Sequence, residues 1–322
     1  MSVIIVKDLK KHFKSVKAVD GISFNIGEGQ IFGLLGPNGA GKTTSIKILA
    51  TLLKPSSGNV TVCGYDVNLN SSKVRSSIGI VFQEPSLDVE LTAFENLILH
   101  ARLYNVPRSE TMSRISDVLE LVDLSDKRNI QVKNFSGGMK RRLEIARGLI
   151  HHPRVLFLDE PTLGLDPQTR SKIWDYILKL KKEKKMTILL TTHYMEEAEL
   201  LCDMVGIIDN GKIIALDSVS KLKNDLKGDV IILDVDDSES AVKILKNSKN
   251  FDGRVHLSVR NADKKLAQIL SKLSKKGVII KSVNIKKPSL NDVFLSLTGK
   301  QIRDEKANDN DWVKNRMRWH GH

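Results

Sequence analysis

Residues Gly36, Pro37, Asn38, Gly39, Ala40, Gly41, Lys42 and Thr43 spell GxxxxGK[ST] between an apolar run, IFGLL, and a helix-forming stretch, TTSIKILATLL. No other feature restricts the possible fold as much. Glycines in such a loop let the backbone turn its N–H groups inward around phosphate oxygens, and the helix that follows presents its positive end to the same anion. Lys42 reaches the β and γ phosphates as a point charge, and the Thr43 hydroxyl can ligate Mg²⁺. The loop must join a strand to a helix, so the expected fold class is α/β with a P-loop NTPase core.

The rest of the chain agrees. Residues 1–35 read as β-rich, with VIIV, ISFNI and IFGLL separated by glycine-containing turns. Residues 92–150 read as mostly helical, and in GGMKRRLEIARGLI the apolar Met139, Leu143, Ala146 and Ile150 recur at helical spacing. VLFLDE and TILLTTH are short and apolar throughout, as strands of a parallel sheet covered on both faces must be.

A boundary is expected near 217–228, where the lysine-rich SVSKLKNDLKG follows the last core-like strand, MVGIID. Beyond it DVIILDVD, RVHLSVR and VIIKSVNI read as strands, and LAQILSKL sets Leu266, Ile269, Leu270 and Leu273 on one helical face. The expected plan is a nucleotide-binding domain over 1–217, with a helical subdomain at about 84–150, then a linker over 218–228. A small α+β domain of ferredoxin-like type over 229–299 and a polar, mobile tail over 300–322 complete it. The tail ends in HGH, which reads as a frayed terminus before it reads as a chelator.

Two further elements carry chemistry. In Val155-Leu156-Phe157-Leu158-Asp159-Glu160 four apolar residues are followed by two carboxylates at the strand's C-terminal end, where open α/β sheets bind ligands. Asp159 is assigned to Mg²⁺ and Glu160 to general-base work, because successive strand residues point to opposite sides. In Phe135-Ser136-Gly137-Gly138-Met139, Ser136 is a favoured N-cap, and Gly137 and Gly138 leave backbone N–H groups open at a helix start. Alone this is an ordinary capped helix. Beside a phosphate loop it is a second anion site, which two copies set head to tail would use to complete each other's pockets.

GPNGAGKTT (through Thr44), FSGGMKRRLEIARGL, LFLDEPTLGLDP and TILLTTH together resemble the ABC ATPases, in that family's order and spacing, over roughly residues 1–217. The resemblance implies ATP and Mg²⁺ as cofactors. It also implies a sandwich dimer in which Ser136 and Gly138 of one chain face the γ-phosphate held by Lys42 of the other. Gln83 looks like the Q-loop residue that senses Mg²⁺ and meets the membrane subunit, and His193 like the switch histidine. Asp166 looks like the D-loop aspartate, and Phe13 takes the place of the ring stacked on adenine. Two positions depart from the pattern: the usual LSGGQ is FSGGM here, and Phe13 replaces the commoner tyrosine, keeping the ring face but losing the hydroxyl. Neither removes a phosphate contact, a metal ligand or the base.

The ending KKPSLNDVFLSLTGK resembles the daunorubicin-resistance type of drug and antibiotic export ATPase. That implies a separate ABC-2 type permease, a homodimer or heterodimer of ATPase subunits, and a cytoplasmic place on the inner face of the membrane. Two other readings share the ATP-handling motifs: a soluble assembly-type ABC ATPase, and a nucleic-acid machine suggested by the net charge of +13. The charge is scattered, its densest run KLKKEKK reads as a solvated helix face, and aromatics at 5% are not interleaved with it, so no nucleic acid is expected as a partner. No apolar run reaches the roughly 18 residues that span a bilayer, and MSVIIVKDLKK lacks a signal-peptide layout. Cys63 and Cys202, far apart, are expected to be free and buried.

Overall fold

The chain opens with an antiparallel hairpin, β1 (Ser2–Phe13) and β2 (Val16–Gly27), in which alternate residues such as Ile4, Val6, Ile22, Phe24 and Ile26 turn inward. The computed structural model describes residues 2–224, 228–245, 248–251, 253–259 and 262–298. The tail with its HGH end, and residues 225–227 of the expected linker, lie outside these.

After the hairpin come β3 (Ile31–Leu35), α1 (Lys42–Leu49), β4 (Ser57–Val62), β5 (Tyr65–Asp66), α2 (Ser71–Ser77) and β6 (Ile78–Val81). β4 and β5 join the hairpin in a four-stranded antiparallel sheet, of order β2-β1-β4-β5. Three helices follow: α3 (Ala93–Leu103), α4 (Arg108–Leu121) and α5 (Gly137–Leu149). Helix α3 begins with a capping box, in which Thr92 and Glu95 satisfy each other's backbone N–H groups. The chain then alternates through β7 (Val155–Asp159), α6 (Pro167–Lys184), β8 (Thr187–Thr192), α7 (Met195–Leu201), β9 (Met204–Asp209), β10 (Lys212–Ser218) and α8 (Val219–Asn224).

A six-stranded sheet, order β10-β9-β3-β8-β7-β6, is the centre of the molecule; β10 is its antiparallel edge and the other pairings are parallel. Its inner strands read as unbroken apolar runs because both faces are covered. Leu156, Leu158, Ile188 and Leu190 enter the core shared with the helical layer. Val155, Phe157 and Leu189, the residues between them, enter the core beneath α1 and the antiparallel sheet. Each such side chain, fully withdrawn from water, stabilises the fold by about 1.5–3 kcal/mol before entropy is counted.

The C-terminal part runs β11 (Asp229–Val235), α9 (Ser238–Ile244), β12 (Ser248–Phe251), β13 (Arg254–Val259), α10 (Ala262–Ser274), β14 (Ile280–Lys286) and α11 (Leu290–Thr298). Its antiparallel sheet has the order β12-β13-β11-β14, a split βαβ arrangement of ferredoxin-like type. Strand β12 escapes a sequence reading because SKNF has no apolar alternation. The α10 residues Leu266, Ile269, Leu270 and Leu273 pack on this sheet.

Helix α11 does something else. Its Leu290, Val293 and Phe294, with Leu222 of α8, are buried in the main core and not in the core of the small sheet. Glu199 of α7 accepts the Leu290 N–H at 2.6 Å and pairs with Lys223 at 2.6 Å, stapling α7, α8 and α11 together.

Both cysteines are free; Cys202 is buried, whereas Cys63 is only half-buried, because it sits at positive φ in the turn between β4 and β5. Along the KLKKEKK run Leu180 is buried, Lys181 pairs with Asp203, and Lys182, Lys184 and Lys185 are exposed. No helix among the described residues is long and apolar enough to cross a membrane.

Candidate nucleotide-binding and hydrolysis site

The phosphate loop leaves the C-terminal end of β3, whose five residues are all buried, and enters α1 at Lys42. Gly41 fills the N-cap position at φ 104°, and a Cβ there would lie 2.3 Å from the Ala18 carbonyl oxygen. Only glycine suits that backbone and that approach. The Lys42 ammonium folds back over the loop, donating to the carbonyls of Gly36 at 2.7 Å and Pro37 at 3.1 Å and pairing with Glu160 at 3.1 Å.

Asp159 is the last residue of β7 and is buried. Its Oδ1 accepts from the Thr43 hydroxyl at 3.1 Å and from the Thr191 hydroxyl at 2.6 Å. Glu160 has left the strand: its φ of 51° lies in the left-handed region, which costs a non-glycine residue about 1–2 kcal/mol. The two carboxylates therefore part company through this backbone turn and not through the pleat alternation that the sequence suggests. The turn is held from both sides. Glu160 donates its N–H to Thr191, and the Arg141 guanidinium donates to the carbonyls of Asp159, Glu160 and Pro161.

His193, just beyond the end of β8, places Nδ1 2.5 Å from Glu160 Oε2. Both oxygens of Glu160 thus face basic groups. Burial pushes its carboxyl up, but the His193 hydrogen bond and the Lys42 charge outweigh burial and hold it below the ordinary value of 4.5.

Lys42, Thr43, Asp159, Glu160 and His193 form one connected cluster. Among the described residues none of Phe13, Gln83, Ser136 and Asp166 hydrogen-bonds to it. Phe13 is 46% exposed, an open ring face with the Lys11 ammonium 5.0 Å from its centroid. Gln83 is exposed on the loop after β6, but its neighbour Phe82 offers its carbonyl to Arg141 at 2.5 Å. Ser136 caps α5, accepting the Met139 N–H at 3.2 Å, and is itself exposed. Asp166 caps α6 by accepting the Thr169 N–H at 3.0 Å. Gly138 ties these two starts together, since a Cβ on it would lie 2.2 Å from the Thr169 methyl.

Sequence reading misses Arg141, Thr191 and Glu197. Arg141 is buried, with Glu144 as its ion-pair partner at 3.0 Å. Its one sequence signal is a charge three residues from Gly138, on a helix face that continues through Ile145 and Gly148, all buried. Thr191 carries no such signal.

A phosphate loop, an acidic strand end and a histidine on one edge of a parallel sheet define a nucleotide-hydrolysing protein of the P-loop class. The chain belongs to the ABC transporter family of ATP-binding proteins: residues 19–163 match the ABC transporter family, and residues 218–298 match the C-terminal domain of DrrA1-3-like ATP-binding proteins. It is 38% identical over 308 residues to the linearmycin resistance ATP-binding protein LnrL of Bacillus subtilis, covering 92% of this chain and 99% of that one. It is 37% identical to the daunorubicin resistance ATP-binding protein DrrA2 of Streptomyces coeruleorubidus, covering 94% of this chain and 96% of the relative. Among solved structures, cbiO1 of Clostridium perfringens, part of an ABC transporter complex, superimposes with a TM-score of 0.63 at 31% identity, over 67% of this chain and 88% of that one. A dimeric ATP-binding cassette bound to ADP and Pi superimposes at 0.61 with 28% identity, over 67% of this chain and 98% of the other. The chain is an ABC-type ATPase.

Proposed function

We propose that this protein is the ATP-driven subunit of an exporter of drug-like, antibiotic or lipid-like molecules, acting on a separate ABC-2 type membrane permease. The observation that carries the reading is the chain-length similarity to resistance ATP-binding proteins, which extends through the C-terminal domain to α11. In this reading the protein sits on the inner face of the membrane through that permease and works as a dimer of ATPase subunits.

ATP would lie along the phosphate loop, its adenine against the Phe13 ring and its β and γ phosphates at Lys42. The donor set at the end of β7 fits a hard divalent cation: the Thr43 hydroxyl and the buried Asp159 carboxylate are oxygens 3.1 Å apart. Gln83 would complete that set, and the ion would supply charge neutralisation for the phosphates. Glu160 would take a proton from the attacking water, and His193, already in contact with Glu160, would orient it and reach the γ-phosphate. Ser136 and Gly137, exposed at the start of α5, together with the buried Gly138 next to them, would serve the phosphate held by a second copy, with Asp166 beside them linking the two sites.

Two measurements test the reading. ATP turnover by the purified chain should require Mg²⁺, with Asp159→Asn weakening the Mg²⁺ dependence of nucleotide binding. Tagged protein should co-purify from membranes with a polytopic partner. Recovery from membranes with no such partner, or turnover indifferent to Mg²⁺, would overturn it.

A further inference from the structure

Glu197 is wholly buried, on the face of α7 that looks toward the catalytic strands, and no step above uses it. Its Oε1 accepts two hydrogen bonds, from the Thr162 hydroxyl at 2.8 Å and from the Trp174 indole N–H at 2.9 Å. Those donors come from two different segments. Thr162 lies two residues after Glu160, in the turn that leads through Leu163, Gly164 and Leu165 to Asp166. Trp174 is two turns into α6, the helix that Asp166 caps. Glu197 itself lies four residues after His193.

The segments that carry Glu160 and His193 are therefore tied twice. One tie is the direct Glu160–His193 contact. The other is the Glu197 carboxyl, anchored to Thr162 on one side and to α6 on the other. The direct contact belongs to groups that must rearrange around substrate, whereas the second is buried away from it. We propose that Glu197 is a positioning residue for ATP hydrolysis, holding the turn after the general base, the approach to Asp166 and the switch histidine as one rigid unit.

Three further observations agree with a load on this carboxyl. Its second oxygen, Oε2, is buried without a hydrogen-bond partner among the described residues, so the side chain acts through Oε1. Burial pushes the carboxyl up against the lowering effect of its donors. The Pro161 carbonyl, between Glu160 and Thr162, is fixed independently by Arg141 at 2.8 Å, so Glu197 controls the side-chain end of a turn whose backbone is already held.

The inference rests on Glu160 being the base, so Glu160→Gln is measured alongside. Glu197→Ala removes the acceptor and should lower kcat about 10- to 100-fold, as expected of a misplacement near 1 Å, with ATP KM little changed. Glu197→Gln keeps an acceptor oxygen on a side chain of nearly the same shape and should restore kcat to within about twofold of wild type. Should Glu197→Ala fail to fold, the Thr162→Val, Trp174→Phe pair removes both donors and leaves the carboxyl, and it should show the same kcat loss. A residue that served stability alone would lower the melting temperature and leave kcat per folded molecule intact. Wild-type kcat in folded Glu197→Ala or in the donor pair, an equal loss in Glu197→Gln, or a loss confined to KM would each overturn the proposal. If Glu160→Gln itself turns over like wild type, the reading of the base fails instead.

Discussion

Lys42 Nζ lies 3.1 Å from Glu160 Oε1, and each side chain is only about 5% exposed. The residue assigned to the phosphates and the residue assigned to the water are thus direct partners inside the protein. In the proposed site a γ-phosphate would compete with Glu160 for this ammonium. Removing one member of a buried pair strands the other, which typically destabilises a fold by about 3–5 kcal/mol. Lys42→Ala should therefore do two things: abolish or greatly weaken ATP binding, and lower the unfolding free energy. Titration with a fluorescent ATP analogue and chemical denaturation check both; unchanged nucleotide affinity contradicts the assignment of the phosphate loop.

Glu160→Gln keeps the size of the side chain and its hydrogen bonding but cannot accept a proton. It should bind ATP, close the dimer and turn over about 10²–10⁴-fold more slowly than wild type. ATP turnover and light scattering on the same sample report the two properties. A folded variant that hydrolyses normally, or that never forms an ATP-dependent dimer, removes Glu160 from the mechanism.

The proposed head-to-tail arrangement of two copies predicts complementation. Ser136→Arg blocks the exposed start of α5, and Lys42→Ala disables the phosphate loop, so each homodimer should be inactive. Mixed, they form one composite site with both halves intact and should recover part of the wild-type turnover. Activity that stays at zero on mixing, while both chains bind each other, would show that the two motifs do not meet across an interface.

The depressed Glu160 carboxyl gives a pH signature. A group whose pKa is lower in the folded state than its ordinary 4.5 contributes stability that is present above 4.5 and lost as pH falls through the folded value. Wild type should exceed Glu160→Gln in unfolding free energy at about pH 6, and the gap should close in acid below the ordinary glutamate value. Denaturant titrations at a series of pH values measure it. A gap that widens in acid would contradict the Lys42 and His193 contacts.

Phe294 ties the C-terminal helix to the ATPase core, with about 3% of its surface exposed. Phe294→Ala should cost about 3–5 kcal/mol of stability while leaving nucleotide affinity unchanged, because no atom of the cluster around Lys42 belongs to α11. A truncation ending near Asp217 should likewise bind ATP, but from a less stable fold that lacks Leu222, Leu290, Val293 and Phe294. Thermal unfolding followed with and without ATP separates the two effects, and loss of binding by a folded truncation would count against the separation.

Much of this protein is written locally. The glycine spacing before Lys42, the apolar runs of β3, β7 and β8 and the carboxylates at positions 159 and 160 are all contiguous patterns. A backbone that must cradle phosphate, or a strand buried on both faces, dictates residue type over a few adjacent positions, so these features are legible without a fold. The tertiary structure alone decided how distant residues meet. It showed that Glu160 diverges from Asp159 by a left-handed backbone turn, which hydrogen bonds with Thr191 and Arg141 help to hold. It showed that Arg141 and Glu197, one charge on a helix among many, are buried because they find partners far away in sequence, up to 59 residues for Arg141 and 35 for Glu197. It placed α11, with the sequence LNDVFLSLT, against α7 and α8 and not on the small sheet beside it in sequence. An apolar helix face records that it must be covered, and never by what; only the three-dimensional packing supplies the cover.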